Sequence, residues 1–277
     1  MNCDLTLGYS PCPNDTFIFY ALVHGKLDTK IRVAERLEDV ETLNRLALGS
    51  VLDLTKISYH ALGHLRDEYC LLRSGGALGR GCGPLVVAPE ECSMESLRGK
   101  TIAIPGQLTT ANLLLQLYGE GFDKLLILPF HEIMPAITEG RADAGVIIHE
   151  SRFTYAQHGL HQVCDLGAWW EQESGLPIPL GGILARRSLG SELITSVDRA
   201  LRRSVDYAYE HPEESRTYIK QHAQELEDNV INSHIGLYVN DFSRDLGEEG
   251  VKAVETLLAR AEERVIIPKN ELPLFLS

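Results

Sequence analysis

Short apolar runs alternate with helix-like segments over the first two-thirds of this chain. Helices are predicted from about 14 to 25 and at 39–48, where polar caps precede apolar positions and glycine follows. Strands are predicted at 4–10, 31–36, 52–57, 70–73, 85–88, 101–104, 125–128, 145–148 and 182–185. From residue 191 helices dominate, at 191–210, 213–223, 227–241 and 248–264. This alternation predicts the α/β class, with helices layered on sheets.

A repeated order of elements predicts two lobes of similar architecture. A strand, a Pro-bearing loop, a polar cap, an apolar helix and a glycine follow one another near residue 5 and again near residue 102. We expect residues 1–90 plus 183–277 to form a large lobe with a helical C-terminal part, and 93–180 a small α/β lobe. The linkers are predicted at 89–93 and 175–182. Two connections would form a hinge, and a cleft between lobes is a favoured ligand site.

Composition narrows the function classes. The 277 residues carry a formal net charge of −13, which disfavours nucleic acid because phosphate binding needs clustered Lys and Arg. No run approaches the ~20 apolar residues of a membrane span, and the N-terminus lacks a signal-peptide pattern, so we expect a cytoplasmic protein without a membrane partner. The six cysteines lack disulfide or zinc spacing. We expect reduced thiols and no metal; the oligomeric state stays open.

His149 is the first candidate for chemistry. It follows the apolar run at 145–148, and ligands of open α/β sheets gather at the carboxyl ends of strands. An imidazole there could move a proton as a general base or acid, or it could simply hydrogen-bond to a backbone group at an interface. Glu150 could orient it, but neighbouring strand residues point to opposite faces, so capping of the next segment is favoured.

Thr109 and Thr110 begin a predicted helix. Two hydroxyls, unpaired backbone N–H groups and the positive end of the helix dipole would hold a carboxylate without a basic residue. Ordinary N-capping is the competing interpretation, and it is the commoner role of threonine at a helix start. An anionic small molecule is the ligand that this site would suit.

Lys56, Ile57 and Ser58 end another predicted strand, opposite His149 if the lobes are real. Lys56 could bring charge to a ligand and Ser58 could hydrogen-bond it, or they could be a surface lysine and a helix cap. Asn14 and Asp15 have the same two interpretations. The glycine-dense segment 74–84 matches neither a dinucleotide fingerprint nor a P-loop. It is predicted as a flexible connection between two strands, and the alternative is a close approach of the backbone to a ligand.

Four segments carry a family resemblance. SPCPNDTF at 10–17, LEDVETLN at 37–44, RSGGALG at 73–79 and IHESRFTY at 148–155 resemble the 1,4-dihydroxy-6-naphthoate synthases, of the MqnA/MqnD family, in the futalosine route to menaquinone. The likeness runs in order from about residue 5 to about 250. It implies a two-lobed fold like type II periplasmic solute-binding proteins. It also implies a cofactor-free lyase that converts cyclic dehypoxanthinylfutalosine into 1,4-dihydroxy-6-naphthoate and dihydroxyacetone.

The resemblance also implies roles for particular residues. His149 resembles the proton-abstracting base, and Lys56, Ile57, Ser58, Thr109 and Thr110 resemble substrate contacts. Two other functions stay open. A chorismate dehydratase of the same pathway shares the fold, although the segments around Ser10 and His149 favour the synthase. A non-catalytic small-molecule binding protein is the second, and a regulatory effector-binding domain is disfavoured because no basic DNA-binding segment accompanies it.

Overall fold

The structure is a computed structural model, and it describes residues 4–149, 151–223 and 227–276. The strands, in chain order, are β1 Asp4–Tyr9, β2 Arg32–Leu37, β3 Leu54–Ser58, β4 Tyr69–Leu71, β5 Ala77–Gly79, β6 Leu85–Ala88, β7 Ile102–Ile104, β8 Leu125–Ile127, β9 Ala144–Ile147, β10 His161–Asp165 and β11 Ile178–Arg186. The helices are α1 Pro13–Val23, α2 Val40–Leu48, α3 Tyr59–Leu62, α4 Thr110–Tyr118, α5 Ile133–Thr138, α6 Ser151–Thr154, α7 Leu166–Ser174, α8 Ser191–Glu210, α9 Arg216–His222, α10 Asp228–Tyr238, α11 Asp241–Arg244 and α12 Gly247–Glu263.

The strands form two sheets. The first has the order β2-β1-β3-β11-β4, with β5 also paired to β11. The second has the order β10-β6-β9-β7-β8. Each sheet combines parallel pairs, such as β1 with β3 and β7 with β9, with antiparallel returns along β11 or β6. The predicted α/β class is therefore confirmed. In chain order, the strands of the second sheet, β6 to β10, lie between β5 and β11 of the first.

The chain crosses between the sheets at other places than predicted. Strand β6 already belongs to the second sheet, so the first crossing lies at 80–84 and the linker predicted at 89–93 is wrong. The predicted return linker at 175–182 is also wrong from Ile178 onward, because β11 begins there. Gly181 and Gly182 are strand residues: a Cβ on Gly181 would lie 2.7 Å from the carbonyl oxygen of Ile57. The division into lobes of 1–90 plus 183–277 and 93–180 stays a prediction.

We predicted the glycine-dense segment 74–84 as a flexible connection between two strands. It contains β5 and is buried except at Arg80 and Gly81. The small residues let the backbone pack closely: a Cβ on Gly75 would lie 2.6 Å from a side-chain carbon of Ile183. Glycine density therefore marks close packing against β11 here, in addition to turn formation.

The C-terminal helices pack against the first sheet's helical layer. Helices α8, α9 and α10 contact α1, which has polar residues at its N-terminal end and apolar ones beyond. Ser204 of α8 joins the two helices, because its hydroxyl donates to the Ile18 carbonyl (2.6 Å) and accepts from the Leu22 N–H (3.1 Å). These hydrogen bonds fix the middle and the C-terminal part of α1. Over the described residues, we find no helix with the length and apolar character of a membrane span.

Candidate functional site

A cavity of about 700 Å³, including its open mouth, lies between the two sheets. All six residues predicted as catalytic or substrate-binding line it, together with residues that sequence reasoning treated as secondary or missed. The predicted ones are Lys56, Ile57, Ser58, Thr109, Thr110 and His149; the others include Ser10, Asn14, Asp15, Ala77, Gly83, Ile148, Leu180 and Tyr238. The structure thus brings the predicted residues together, while their individual roles stay predictions.

His149 is half-buried, just beyond the end of β9. Its backbone φ is +56°, in the left-handed region that non-glycine residues rarely adopt and that recurs at functional sites. The Nδ1 atom lies 3.6 Å from the Sγ of Cys12, within hydrogen-bond distance for sulfur. The ring centroid is 5.0 Å from that of Phe130 and 6.0 Å from that of His234. Glu150, its predicted neighbour, lies outside the described residues.

Lys56 is buried rather than a surface lysine, with 6% of its surface exposed. Its Nζ donates to the Asp15 Oδ1 atom (2.8 Å) and to the Gly75 carbonyl (3.2 Å). Asp15 also accepts a hydrogen bond from the Ser10 hydroxyl (2.7 Å). The ion pair neutralises both charges at the cavity wall, so a ligand there meets a paired lysine instead of a lone cation.

Ile57 and Ser58 continue this wall. Ile57 is fully buried and gives the cavity an apolar surface. Ser58 is anchored by Asn44, whose Oδ1 accepts from the Ser58 N–H (3.0 Å) and whose Nδ2 lies 3.3 Å from the Ser58 Oγ. The Ser58 side chain makes no capping hydrogen bond to α3, so the capping interpretation fails at this position.

Thr109 and Thr110 use their hydroxyls within the protein. Thr109 caps α4: its hydroxyl accepts from the Asn112 N–H (3.3 Å) and donates to the Gly106 carbonyl (2.8 Å). The Thr110 hydroxyl donates to the Leu180 carbonyl (2.6 Å) and accepts from the Tyr59 N–H (3.0 Å). The groups suited to an anion are therefore the backbone N–H groups of the first helical turn, which lack intrahelical acceptors.

His234 is a neighbour of His149 that sequence reasoning did not find. It lies in α10, is fully buried, and its ring is nearly parallel to that of His149, at 10°. Burial, with a smaller contribution from His149, lowers the pKa of His234 well below its usual value. Its Nε2 donates to the Asn14 Oδ1 (2.9 Å). No spacing signal in the chain could have shown this contact between residues 220 positions apart.

A second cavity of about 790 Å³ adjoins the first. Ser10, Val40, Ile148 and His149 line both, so His149 lies at their boundary. The remaining lining residues include the aromatic and imidazole rings of Phe130, His131 and His222. A molecule larger than a single ring could therefore span both spaces and place its central atoms beside His149.

The adjacent tryptophans Trp169 and Trp170 lie outside the lining of these two cavities. Trp170 is buried, and its Nε1 donates to the Pro177 carbonyl (3.2 Å), while Trp169 packs on Tyr118. These tryptophans therefore pack among the helices that lie beside the second sheet. Across 4–149, 151–223 and 227–276 there is no group of three His, Cys, Asp or Glu residues arranged to hold a metal ion.

The two sheets with a cavity between them are the architecture of periplasmic binding proteins. One such solved structure is the alkanesulfonate-binding protein from Xanthomonas axonopodis pv. citri bound to MOPS, with a TM-score of 0.69, 17% identity and coverage of 97% of this chain and 96% of that one. A crystal structure of a protein from Archaeoglobus fulgidus is more similar, with a TM-score of 0.90, 39% identity and coverage of 95% and 98%.

The sequence comparisons show the family. The family described as menaquinone biosynthesis matches residues 5–263, and this chain belongs to it. A 1,4-dihydroxy-6-naphthoate synthase from Thermus thermophilus is 56% identical over 271 residues, 98% of each chain. A protein of the same name from Streptomyces coelicolor is 47% identical over 269 residues, 95% of each chain. The predicted family resemblance is therefore confirmed.

Proposed function

We propose that this protein is a carbon–carbon lyase of menaquinone biosynthesis, with the activity of a 1,4-dihydroxy-6-naphthoate synthase. It converts cyclic dehypoxanthinylfutalosine into 1,4-dihydroxy-6-naphthoate and dihydroxyacetone, and it works in the cytoplasm. The observation that carries this proposal is 56% identity to a synthase of that name over 98% of both chains. The cavity supports it, because the six residues expected from the family resemblance line one space.

His149 is the general base in this proposal. A neutral imidazole removes a proton from the cyclic substrate, the electron pair left behind drives cleavage of a carbon–carbon bond, and the sugar-derived fragment departs. Aromatisation of the new ring makes the reaction favourable. The bond that breaks joins the ring system to the departing fragment. If these two parts occupy the two cavities, the bond lies at their boundary beside His149, and this position supports the role of general base.

The substrate carboxylate binds at the N-terminus of α4. The backbone N–H groups of Thr110 and Ala111 and the helix dipole supply the positive potential, while the hydroxyls of Thr109 and Thr110 hold the turn in shape. Ile57 packs on the ring system, Ser58 donates a hydrogen bond, and Lys56 holds Asp15 in the cavity wall. Enclosure between the sheets excludes water and aligns the base.

The test is a product assay with purified protein and the futalosine-derived substrate. Formation of 1,4-dihydroxy-6-naphthoate is expected, and His149→Asn is expected to lower kcat by at least about 10²-fold while the Kd for product changes little, since only proton transfer is lost. Near-normal kcat in that variant would contradict the base assignment. Turnover of chorismate would instead identify the dehydratase, and binding without turnover would identify a binding protein.

A further inference from the structure

Two side chains to which the family resemblance assigned no role lie next to His149. Cys12 lies against its Nδ1 atom, and His234 lies parallel to its ring. We propose that Cys12 and His234 are positioning residues for His149: Cys12 determines which ring nitrogen accepts the substrate proton, and His234 holds the plane of the ring. This inference rests on the proposed function, because it assigns the parts of the same site that prepare the base.

Cys12 has a fixed position from which to act. It is the N-cap residue of α1 and has 6% of its surface exposed, and its carbonyl accepts from the N–H groups of Asp15 and Thr16, both at 3.0 Å. Its Sγ can therefore act as a stationary acceptor for a proton on His149 Nδ1, 3.6 Å away. With Nδ1 protonated, Nε2 carries the lone pair and becomes the basic nitrogen, as the buried carboxylate arranges in a catalytic triad.

A chain of hydrogen bonds fixes the tautomer of His234. The Lys56 ammonium donates to Asp15, and the same Asp15 oxygen must accept from the Asn14 amide nitrogen (2.8 Å) because a carboxylate cannot donate. The Asn14 oxygen therefore faces His234 and accepts from its Nε2–H. His234 Nδ1 is then unprotonated, and it has no hydrogen-bond partner among the described residues.

The environment keeps His234 neutral. It is fully buried, and a second positive charge would lie against His149 whenever His149 holds a proton. A neutral ring can stay in place through both protonation states of the base. The left-handed backbone of His149 and the ring of Phe130 restrict the same imidazole further. Buried polar groups in this site thus fix the orientation of the His149 ring, and proton transfer depends on that orientation.

The experiment compares Cys12→Ala, Cys12→Ser and His234→Gln with Cys70→Ala. Cys70 is a matched control, because it is fully buried but its thiol donates to the Ala185 carbonyl in the first sheet (3.5 Å). We expect Cys12→Ala and His234→Gln to lower kcat about 10–100-fold with KM within about twofold, as outer-sphere partners do. Cys12→Ser keeps an acceptor and should recover part of kcat. Cys70→Ala should leave kcat unchanged.

Two further readouts separate positioning from a structural role. The pH profile of kcat should shift in Cys12→Ala, and the ¹⁵N chemical shifts of His149 should show Nδ1–H in the wild type and a mixture of tautomers in the variant. An Nε2–H tautomer in the wild type would overturn the proposal, as would kcat within twofold of wild type and an unchanged pH profile in Cys12→Ala. The tautomer measurement needs no turnover, so it tests the inference even if the proposed activity fails.

Discussion

At the scale of single residues, burial of polar groups distinguishes the site from the rest of the surface. Lys56 and Asp15 pair at 2.8 Å with 7% and 2% of their side chains exposed, whereas Arg141 and Glu139 pair at the same distance in solvent. A buried pair costs desolvation on both sides and is weak evidence for added stability. It fixes Asn14 and the cavity wall instead, which is a contribution to geometry.

His60 should make stability depend on pH. It lies in α3, and its Nδ1 donates to the Thr109 carbonyl (3.3 Å). Burial, together with the neighbouring His64, lowers its pKa to about 4. The unfolded chain takes up this proton near the ordinary value of about 6.5, while the folded protein takes it up only near 4. The stability from a neutral His60 is therefore present above 6.5 and is lost as pH falls toward 4.

The expected size is about 3 kcal/mol between those two pH values, since one pKa unit is worth about 1.4 kcal/mol. His60→Gln removes this titration. The free energy of unfolding, measured with urea, should therefore fall by about 3 kcal/mol less in the variant than in wild type as the pH is lowered from 6.5 to 4. His158→Gln, at an exposed position, should leave the wild-type slope. Parallel slopes for His60→Gln and wild type would show that His60 keeps an ordinary pKa.

At the scale of elements, close backbone approaches decide where the sheets are joined. Gly83, in the crossing before β6, packs on Gly167 at the start of α7, and a Cβ on Gly167 would lie 2.6 Å from the Gly83 Cα. Nearby, Arg152 of α6 pairs with Asp165 (2.8 Å), whose other oxygen caps α7. This corner holds α6, α7 and the crossing segment together beside the cavity.

Gly167→Ala should destabilise the protein by about 1–3 kcal/mol, because neither backbone can move away without breaking these caps. Gly236→Ala is the matched control: Gly236 lies exposed in α10 with open space around its Cα, and alanine there should add up to about 1 kcal/mol. Thermal and urea unfolding of the two variants measure both effects. A neutral Gly167→Ala would mean that this corner tolerates a methyl group.

At the scale of the whole molecule, one carboxylate links the helical layer of the first sheet to the second. Glu41 of α2 accepts from the N–H groups of Gln107 (3.1 Å) and Leu108 (3.2 Å), in the loop between β7 and α4. Asn44, one turn further on, lies with its amide nitrogen 3.3 Å from the Leu108 carbonyl. The loop that leads into the cavity's helix N-terminus is therefore held by a helix that packs on the first sheet.

Glu41→Ala should loosen this arrangement of the sheets. Loss of hydrogen bonds from a carboxylate costs about 1.5–3 kcal/mol, so KM should rise about tenfold and the radius of gyration in solution scattering should increase. Gly106→Ala tests the same contact from the other side, because its Cβ would lie 2.6 Å from the Glu41 Cδ. Glu38→Ala, which removes an exposed pair with Arg36, should change neither quantity. Unchanged scattering and KM in Glu41→Ala would exclude the link.

The residue patterns of the chain determined the α/β class, most of the element positions and the gathering of His149, Lys56 and Thr109 around one cavity. These depend on local periodicity and on strand and helix ends, which are visible in short windows. The tertiary structure alone decided that β6 joins the second sheet, that the glycines before Ile183 are strand residues, and that His234 lies against His149. Those outcomes depend on contacts between residues distant in the chain, where pairing and close packing, rather than local preference, set the free energy.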